Sequence, residues 1–353
     1  MKLFACQNCG QLVHFENVGC VRCGLPLGYL PDRLLLSAMN TETDGQQSPF
    51  NGDGSLWRPC QNAADLGCNW LVHAESDEPF CDACALNETI PDLNMPGNLE
   101  HWQAIETAKR RLVYALTRLN LPFESPGGAH NKLRFKFLAD VQGGDPVLTG
   151  HDEGTIVLNI AEADSAERER RRTELGEPYR TLLGHFRHEV GHYYWDMLVR
   201  DSGRVEECRA VFGDESLDYG EALQAHYQNG APPDWALNYI SAYATMHPWE
   251  DFAETWTHYL HMIDTLDTAA SFGVAVNPVV TDAPEVNAAV GFDAYRAADI
   301  GQLVAAWVPL TVALNSLNRS MGQPDAYPFA LSPAVVEKLG FIHQLVQEGP
   351  RAG

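Results

Sequence analysis

The sequence predicts an α+β fold in which a small sheet is followed by many helices, with a small loop-rich module in front. Three observations predict it. Eight of the nine cysteines lie before residue 85, in two sets of four. Two short extended segments, each bounded by Gly, Asp or Pro, follow residue 130. Beyond about residue 162 the pattern is mainly helix and loop. The 353 residues suffice for one large domain plus a small module. The Pro-containing stretch TIPDLNMPGN, residues 89 to 98, marks the boundary, giving residues 1–95 and 96–353.

The first cysteine set is Cys6-x-x-Cys9 with Cys20-x-x-Cys23, and the second is Cys60, Cys68 and Cys81-x-x-Cys84. A CxxC turn presents two thiolates to one ion and a second pair closes a tetrahedral cage, so each set predicts a structural Zn2+ site, one or two in all. The spacing from Cys60 to Cys68 is irregular, which leaves His73 as a substitute ligand and leaves open an interleaved pairing of the sets. The stretch TETDGQQSPFNGDGS, residues 41 to 55, reads as uncommitted loop, so the metal substitutes here for a core too small to hold together.

The N-terminus MKLFACQNCG reaches cysteines almost at once and does not read as a cleavable signal peptide. A cytoplasmic setting is expected, with the thiols reduced and used as metal ligands. No apolar run near the length needed to span a bilayer stands out, so no membrane partner is expected. The formal net charge is −23, and residues 1 to 95 carry four Lys or Arg against twelve Asp or Glu. A sequence-independent grip on nucleic acid needs clustered cations, so the charge argues against it.

After the boundary, EHWQAIETAKRRLVYALTRLNL has Trp102, Ile105, Ala108, Leu112, Leu116 and Leu119 at helical spacing and predicts an amphipathic helix. Its Lys109-Arg110-Arg111 run is expected on the solvated face. LRFKFLAD, residues 133 to 140, and GTIVLNI, residues 154 to 160, are the expected strands.

GHFRHEVGHYYW, residues 184 to 195, contains His188, Glu189 and His192 as H-E-x-x-H. At about 100° per residue, His185, His188, Glu189, His192 and Asp196 share one stripe, opposite a band of Leu182, Leu183, Phe186, Val190, Tyr193 and Met197. Histidines at i and i+4 stand one above the other and reach one Zn2+, while Glu189 points beside the metal. Zinc brings the pKa of a water towards neutrality, and Glu189 is the candidate general base that takes the proton as the water attacks a carbonyl.

Downstream, in SAYATMHPWEDFAETWTHYLH (residues 241 to 261), Pro248 suits a first helical turn, and Glu250, Glu254, His258 and His261 fall on one face. Glu250 is the expected third ligand of the catalytic zinc, and Glu254 the acceptor of the outer N–H of a ligating histidine. The reversed assignment, with Glu254 on the metal, remains open. His185 is a weaker candidate for contact with the site, while His226, His258, His261 and Cys208 read as ordinary packed or exposed residues.

HEVGH followed by an E-D-F-A-E segment resembles the zincin metallopeptidases whose third ligand is glutamate, especially the branch containing anthrax lethal factor. The paired cysteines, the AKRRL helix, the YRTLLGHFRHEVGHYYW helix and the HPWEDFAETW segment together resemble a bacterial family of zinc-binding metallopeptidases with an N-terminal zinc ribbon. The resemblance covers nearly the whole chain and implies a zincin-like domain with a peptide or protein substrate. It also implies a catalytic role for Tyr243, seven residues before Glu250, in stabilising the transition state. A sheet edge that binds substrate as an added strand is a further implication, and Gly154, Thr155, Ile156, Val157, Leu158 and Asn159 are the expected strand. The interval from His192 to Glu250 is longer than in the best-studied glutamate zincins and holds FGDESLDYGEALQAHY, a stretch without an assigned role. The competing readings are a non-catalytic, zinc-stabilised adaptor and a nucleic-acid-associated regulatory protein. Glu189 argues against the first and the acidity of the module against the second.

Overall fold

Short apolar runs that look like loop in isolation become strands when they find partners, as happens between the two cysteine sets. In the computed structural model, Leu27–Leu30 (β3), Leu35–Thr41 (β4), Gln47–Pro49 (β5), Trp57–Pro59 (β6) and Leu71–His73 (β7) form a five-stranded sheet in chain order. Before it, Phe4–Ala5 (β1) and Leu12–Val13 (β2) pair antiparallel. Leu30, Met39, Trp57 and Leu71 are buried together, and each such side chain contributes about 1.5–3 kcal/mol by leaving water. Between β3 and β4 the chain turns through Pro31–Arg33 and Leu34, which sits in the left-handed region at φ 49°. The stretch at residues 41 to 55 is thus partly strand, because β5 finds partners on both sides, β4 before it and Trp57 of β6 after it.

The structure describes residues 2–42, 45–124, 132–140, 147, 149–165, 168, 170, 181–281 and 283–349. The chain divides into two compact units. The first comprises Met1–Arg118, Arg134–Leu148 and Val157–Asp164; the second comprises Leu119–Leu133, Thr149–Ile156 and Ser165–Gly353.

In the first unit, a short helix, Ala63–Leu66 (α1), precedes β7, and Asn87–Thr89 (β8) leads to a long helix, Asn98–Arg118 (α2). The α2 helix belongs with the N-terminal sheet because its Tyr114 packs at 5.0 Å from Phe15, which in turn meets Tyr29 edge-on at 5.0 Å. Its Lys109-Arg110-Arg111 run departs from expectation. Lys109 and Arg110 are buried and only Arg111 is partly exposed, paired to Glu16 at 2.6 Å. The reason is Glu106 one turn earlier, also fully buried, whose Oε1 accepts Lys109 Nζ at 2.6 Å; Asn87 Oδ1 is a second acceptor. Lys109 also lies over Phe135 and Phe137 at 5.7 and 5.5 Å. Glu106→Ala leaves Lys109 an uncompensated buried cation and is expected to cost about 3–5 kcal/mol. Urea denaturation checks this, and a loss under about 1 kcal/mol would contradict the pairing.

The strand Arg134–Leu138 (β9) runs parallel to β8, with Asn87 opposite Phe135. Gly150–Asp152 (β10) turns through Glu153 and Gly154, both at positive φ, into Thr155–Asn159 (β11). The strand order is β10-β11-β9-β8. β11, the segment Gly154 to Asn159 expected to offer an open edge, therefore has neighbours on both sides. Its main-chain groups are used within the sheet, and the edge strand is β10.

The second unit is mainly helical. The motif helix Leu182–Trp195 (α3) continues through one wider turn, Asp196–Arg200, where Asp201 N–H bonds Asp196 O at i to i+5. Val205–Phe212 (α4) holds the buried thiol of Cys208, and Tyr219–Asn229 (α5) follows. The 24-residue helix Pro248–Ser271 (α6) is the centre of the unit and is buried along most of its length. Ala275–Val276 (β12) and Ala288–Ala289 (β13) pair beyond it. Helix α6 packs on α3, on Ile300–Ser320 (α7) and on Pro333–Glu348 (α8). Lys338 of α8 pairs with the buried Asp251 at 2.6 Å. Among the described residues α7 alone has the length and apolar composition to cross a membrane, a run the sequence reading did not single out. Its Leu303, Ala306, Trp307, Leu310 and Thr311 are buried in the fold, whereas Val308, Val312 and Leu317 are exposed.

Candidate metal centre

Helix α3 begins at Thr181, whose Oγ1 accepts the Gly184 N–H at 2.9 Å. Helix α6 begins with Pro248, preceded by His247. The His247 Nδ1 accepts the Trp249 N–H at 3.1 Å, so its Nε2–H donates to Leu217 O, also at 3.1 Å. The two helices meet at Gly191, where an added Cβ would lie 3.0 Å from Ala253 Cα. Glycine allows that approach without displacing Ala253, and it brings the stripe of α3 against the Glu250–Glu254 face of α6.

His188 Nε2 lies 2.9 Å from Glu250 Oε2, and His192 Nε2 lies 3.5 Å from Glu250 Oε1. Donor atoms of His188, His192 and Glu250 all fall within 4.8 Å of one another. Two imidazole nitrogens and a carboxylate oxygen are a zinc donor set. The buried Glu250 Oε2 accepts no well-formed hydrogen bond despite its closeness to His188, which is how atoms converging on a shared cation are disposed. Burial alone would raise the Glu250 carboxyl and depress His188. The facing charges of His192 and His188 reverse the first, holding Glu250 well below the usual carboxylate range, and Glu250 and Glu254 reverse the second, holding His188 well above its own.

Behind His188, its Nδ1 lies 2.7 Å from Glu254 Oε1, and Glu254 Oε2 accepts Ser241 Oγ at 2.6 Å. Ser241 Oγ in turn accepts the Ala244 N–H at 3.1 Å. Glu254 therefore faces the outer nitrogen of His188, and Glu250 the two inner ones. A partner of this kind typically changes metal affinity about 10–100-fold. Glu254→Ala is expected to weaken zinc retention in that range, measured by chelator competition; an unchanged affinity would contradict the relay.

Glu189 is buried beside these groups, its Oε1 3.2 Å from His185 Nε2. Burial pushes its carboxyl up, but the His185 hydrogen bond and the nearby imidazoles outweigh this and hold it below its ordinary value. Tyr243, in a single turn at Tyr243–Thr245, has its ring 6.0 Å from that of His188. Its neighbour Tyr219 donates its own hydroxyl to Glu250 Oε1 at 3.0 Å. Burial, reinforced by Glu250, pushes both phenols up, so both stay protonated donors.

Several neighbours escaped the sequence reading. Tyr219 comes from the unassigned acidic, aromatic stretch, at the start of α5. Trp249 stacks on His192 with centroids 3.7 Å apart, and His151 of β10 lies 6.3 Å from the same ring. His151 Nε2 accepts the Gly154 N–H at 3.0 Å. The only signal for Trp249 was its place next to Glu250; Tyr219 is 31 residues away and gave none.

In the first unit each cysteine set closes on itself. Sγ atoms of Cys6, Cys9, Cys20 and Cys23 lie within 4.8 Å of one another, as do those of Cys60, Cys68, Cys81 and Cys84. The sets do not interleave. His73 is outside both, stacked on Trp57 at 3.7 Å. Behind the second set, Glu106 Oε2 is 3.8 Å from Cys84 Sγ.

Fold and site together define a zinc-binding peptidase-like domain behind a zinc ribbon. The chain belongs to the family described as "Putative zinc-binding metallo-peptidase", matched over residues 98–345, and residues 3–95 match a zinc-ribbon domain. Among its relatives are uncharacterized proteins of Mycobacterium bovis and of Mycobacterium tuberculosis strain H37Rv, each 40% identical over 350 residues. Both alignments cover 99% of this chain and 96% of the relative. No solved structure matches the chain.

Proposed function

We propose that the protein is a zinc-dependent metallopeptidase of the zincin type, hydrolysing peptide bonds with Glu189 as general base. One observation carries the reading: His188, His192 and Glu250 converge within 4.8 Å while Glu189, on the same stripe of α3, is left free of that triad. A purely structural metal site has no use for such a carboxylate.

Bound Zn2+ supplies Lewis acidity, easing deprotonation of a water and polarising the scissile carbonyl. Glu189 takes a proton from the attacking water as the O–C bond forms and delivers it to the leaving amine as the C–N bond breaks. His185, 3.2 Å away, holds the Glu189 carboxylate in position. Tyr243 donates a hydrogen bond to the oxygen on which charge develops. Tyr219 orients Glu250, and Glu254 with Ser241 orients His188. An extended peptide is read as adding to β10, the edge strand that packs against α3.

Each cysteine set is assigned one structural zinc, so the chain carries three ions, one of them catalytic. The boundary near residue 95 and a cytoplasmic setting, which suits nine free thiols, belong to the same reading. The test is incubation of the zinc-loaded full chain with a peptide library, read by mass spectrometry. Cleavage that a chelator stops and zinc restores is expected; no cleavage across the library would sink the peptidase reading.

A further inference from the structure

Beside the metal centre the second unit has a cavity of about 250 Å³. That is below the ~300–1,000 Å³ of pockets for drug-sized ligands and suits one side chain. It adjoins the centre directly, because two of its walls are Trp249, stacked on His192, and Tyr219, bonded to Glu250. Its remaining lining is Trp195, Asp196, Glu215, Leu217 and His247.

The lining carries two carboxylates and no Lys or Arg. His247 adds no cation, since one ring nitrogen accepts the Trp249 N–H and the other donates to Leu217 O. Glu215 is satisfied from outside the cavity by Arg209, on both oxygens at 2.7 and 2.9 Å. Asp196 is only half satisfied. Its Oδ1 accepts Arg200 at 2.8 Å, whereas Oδ2 has no partner among the described residues, although the residue is only 6% exposed. A carboxylate oxygen left without a protein donor, on a largely buried residue that lines an aromatic cavity, is open to a donor from a ligand.

We propose that this cavity is a specificity subsite for a basic side chain, Lys or Arg, of a peptide substrate. The proposal rests on the peptidase reading above. The alkyl stem lies against Leu217 and the indoles, where the cationic head also gains from the ring faces, and the head meets Asp196 Oδ2. A neutral side chain of the same size fills the walls but leaves that oxygen unpaired. An acidic one is repelled by both carboxylates, and the net charge of −23 adds to the preference for cationic peptides.

The test uses two dipeptide hydroxamates identical except for an Arg or a norleucine side chain, titrated calorimetrically into the zinc-loaded full chain. The Arg probe is expected to bind on the order of ten-fold more tightly. In Asp196→Asn the ratio of the two dissociation constants is expected to fall to about one. Equal affinities in the wild type overturn the subsite, and they do so even if Asp196→Asn does not fold. Arg selectivity in a chain that cleaves no library peptide keeps the subsite and sinks the peptidase reading. Cleavage with no preference for Lys or Arg peptides and no Arg selectivity does the opposite.

Discussion

Glu189→Gln is expected to lower peptide hydrolysis by about 10²–10⁴-fold, the usual contribution of a positioned acid–base group. The substitution keeps the side chain's volume and a carbonyl oxygen for His185, which now lies 3.2 Å from the carboxylate. It removes the capacity to accept and pass on a proton. Because Glu189 is outside the His188, His192 and Glu250 triad, zinc content should not change. Turnover falling with metal retained separates a base from a ligand. A Glu189→Gln enzyme as fast as wild type on a validated substrate would remove Glu189 from the mechanism.

The largest effect on stability is expected from Cys81→Ser. All four thiols of its set are buried, and the Cys81 N–H points at Cys60 Sγ, 3.4 Å away. The apparent binding energy of a structural zinc in small domains, about 10–16 kcal/mol, is comparable with the whole stability of a typical domain, about 5–15 kcal/mol. A serine hydroxyl does not replace a thiolate. The first unit should therefore lose its cooperative thermal transition and become sensitive to proteases, as the wild type should on prolonged chelation. A variant that melts like wild type would show that this site does not hold the unit together.

Where a property depends on near neighbours in sequence, it was legible. The apolar spacing of residues 102 to 119 defined α2, the order of the cysteines gave two sets of four while leaving their pairing open, and the stripe on α3 collected His188, Glu189 and His192. Periodic helix faces also put Glu254 near a motif histidine, although which one, and whether Glu254 or Glu250 faces the inner nitrogens, is open in the sequence. Other features depended on distant contacts. The five-stranded sheet is built from strands of three to seven residues whose burial is decided by cross-strand partners. Lys109 is expected in solvent because, although Glu106 is one turn away, the groups that enclose the pair, Asn87 and the rings of Phe135 and Phe137, lie 22 to 28 residues from it. β11 was read as an edge because composition marks a strand without saying how many neighbours it has. Tyr219 reaches Glu250 only through the fold of the intervening loop.

The central claim is that His188, His192 and Glu250 hold the catalytic zinc. Metal analysis of the purified full chain beside His188→Ala and Glu250→Ala tests it most directly. Near three zincs per chain in the wild type and two in each variant is the predicted result. A Glu250→Ala chain that keeps its full zinc content would contradict it and move the third ligand elsewhere.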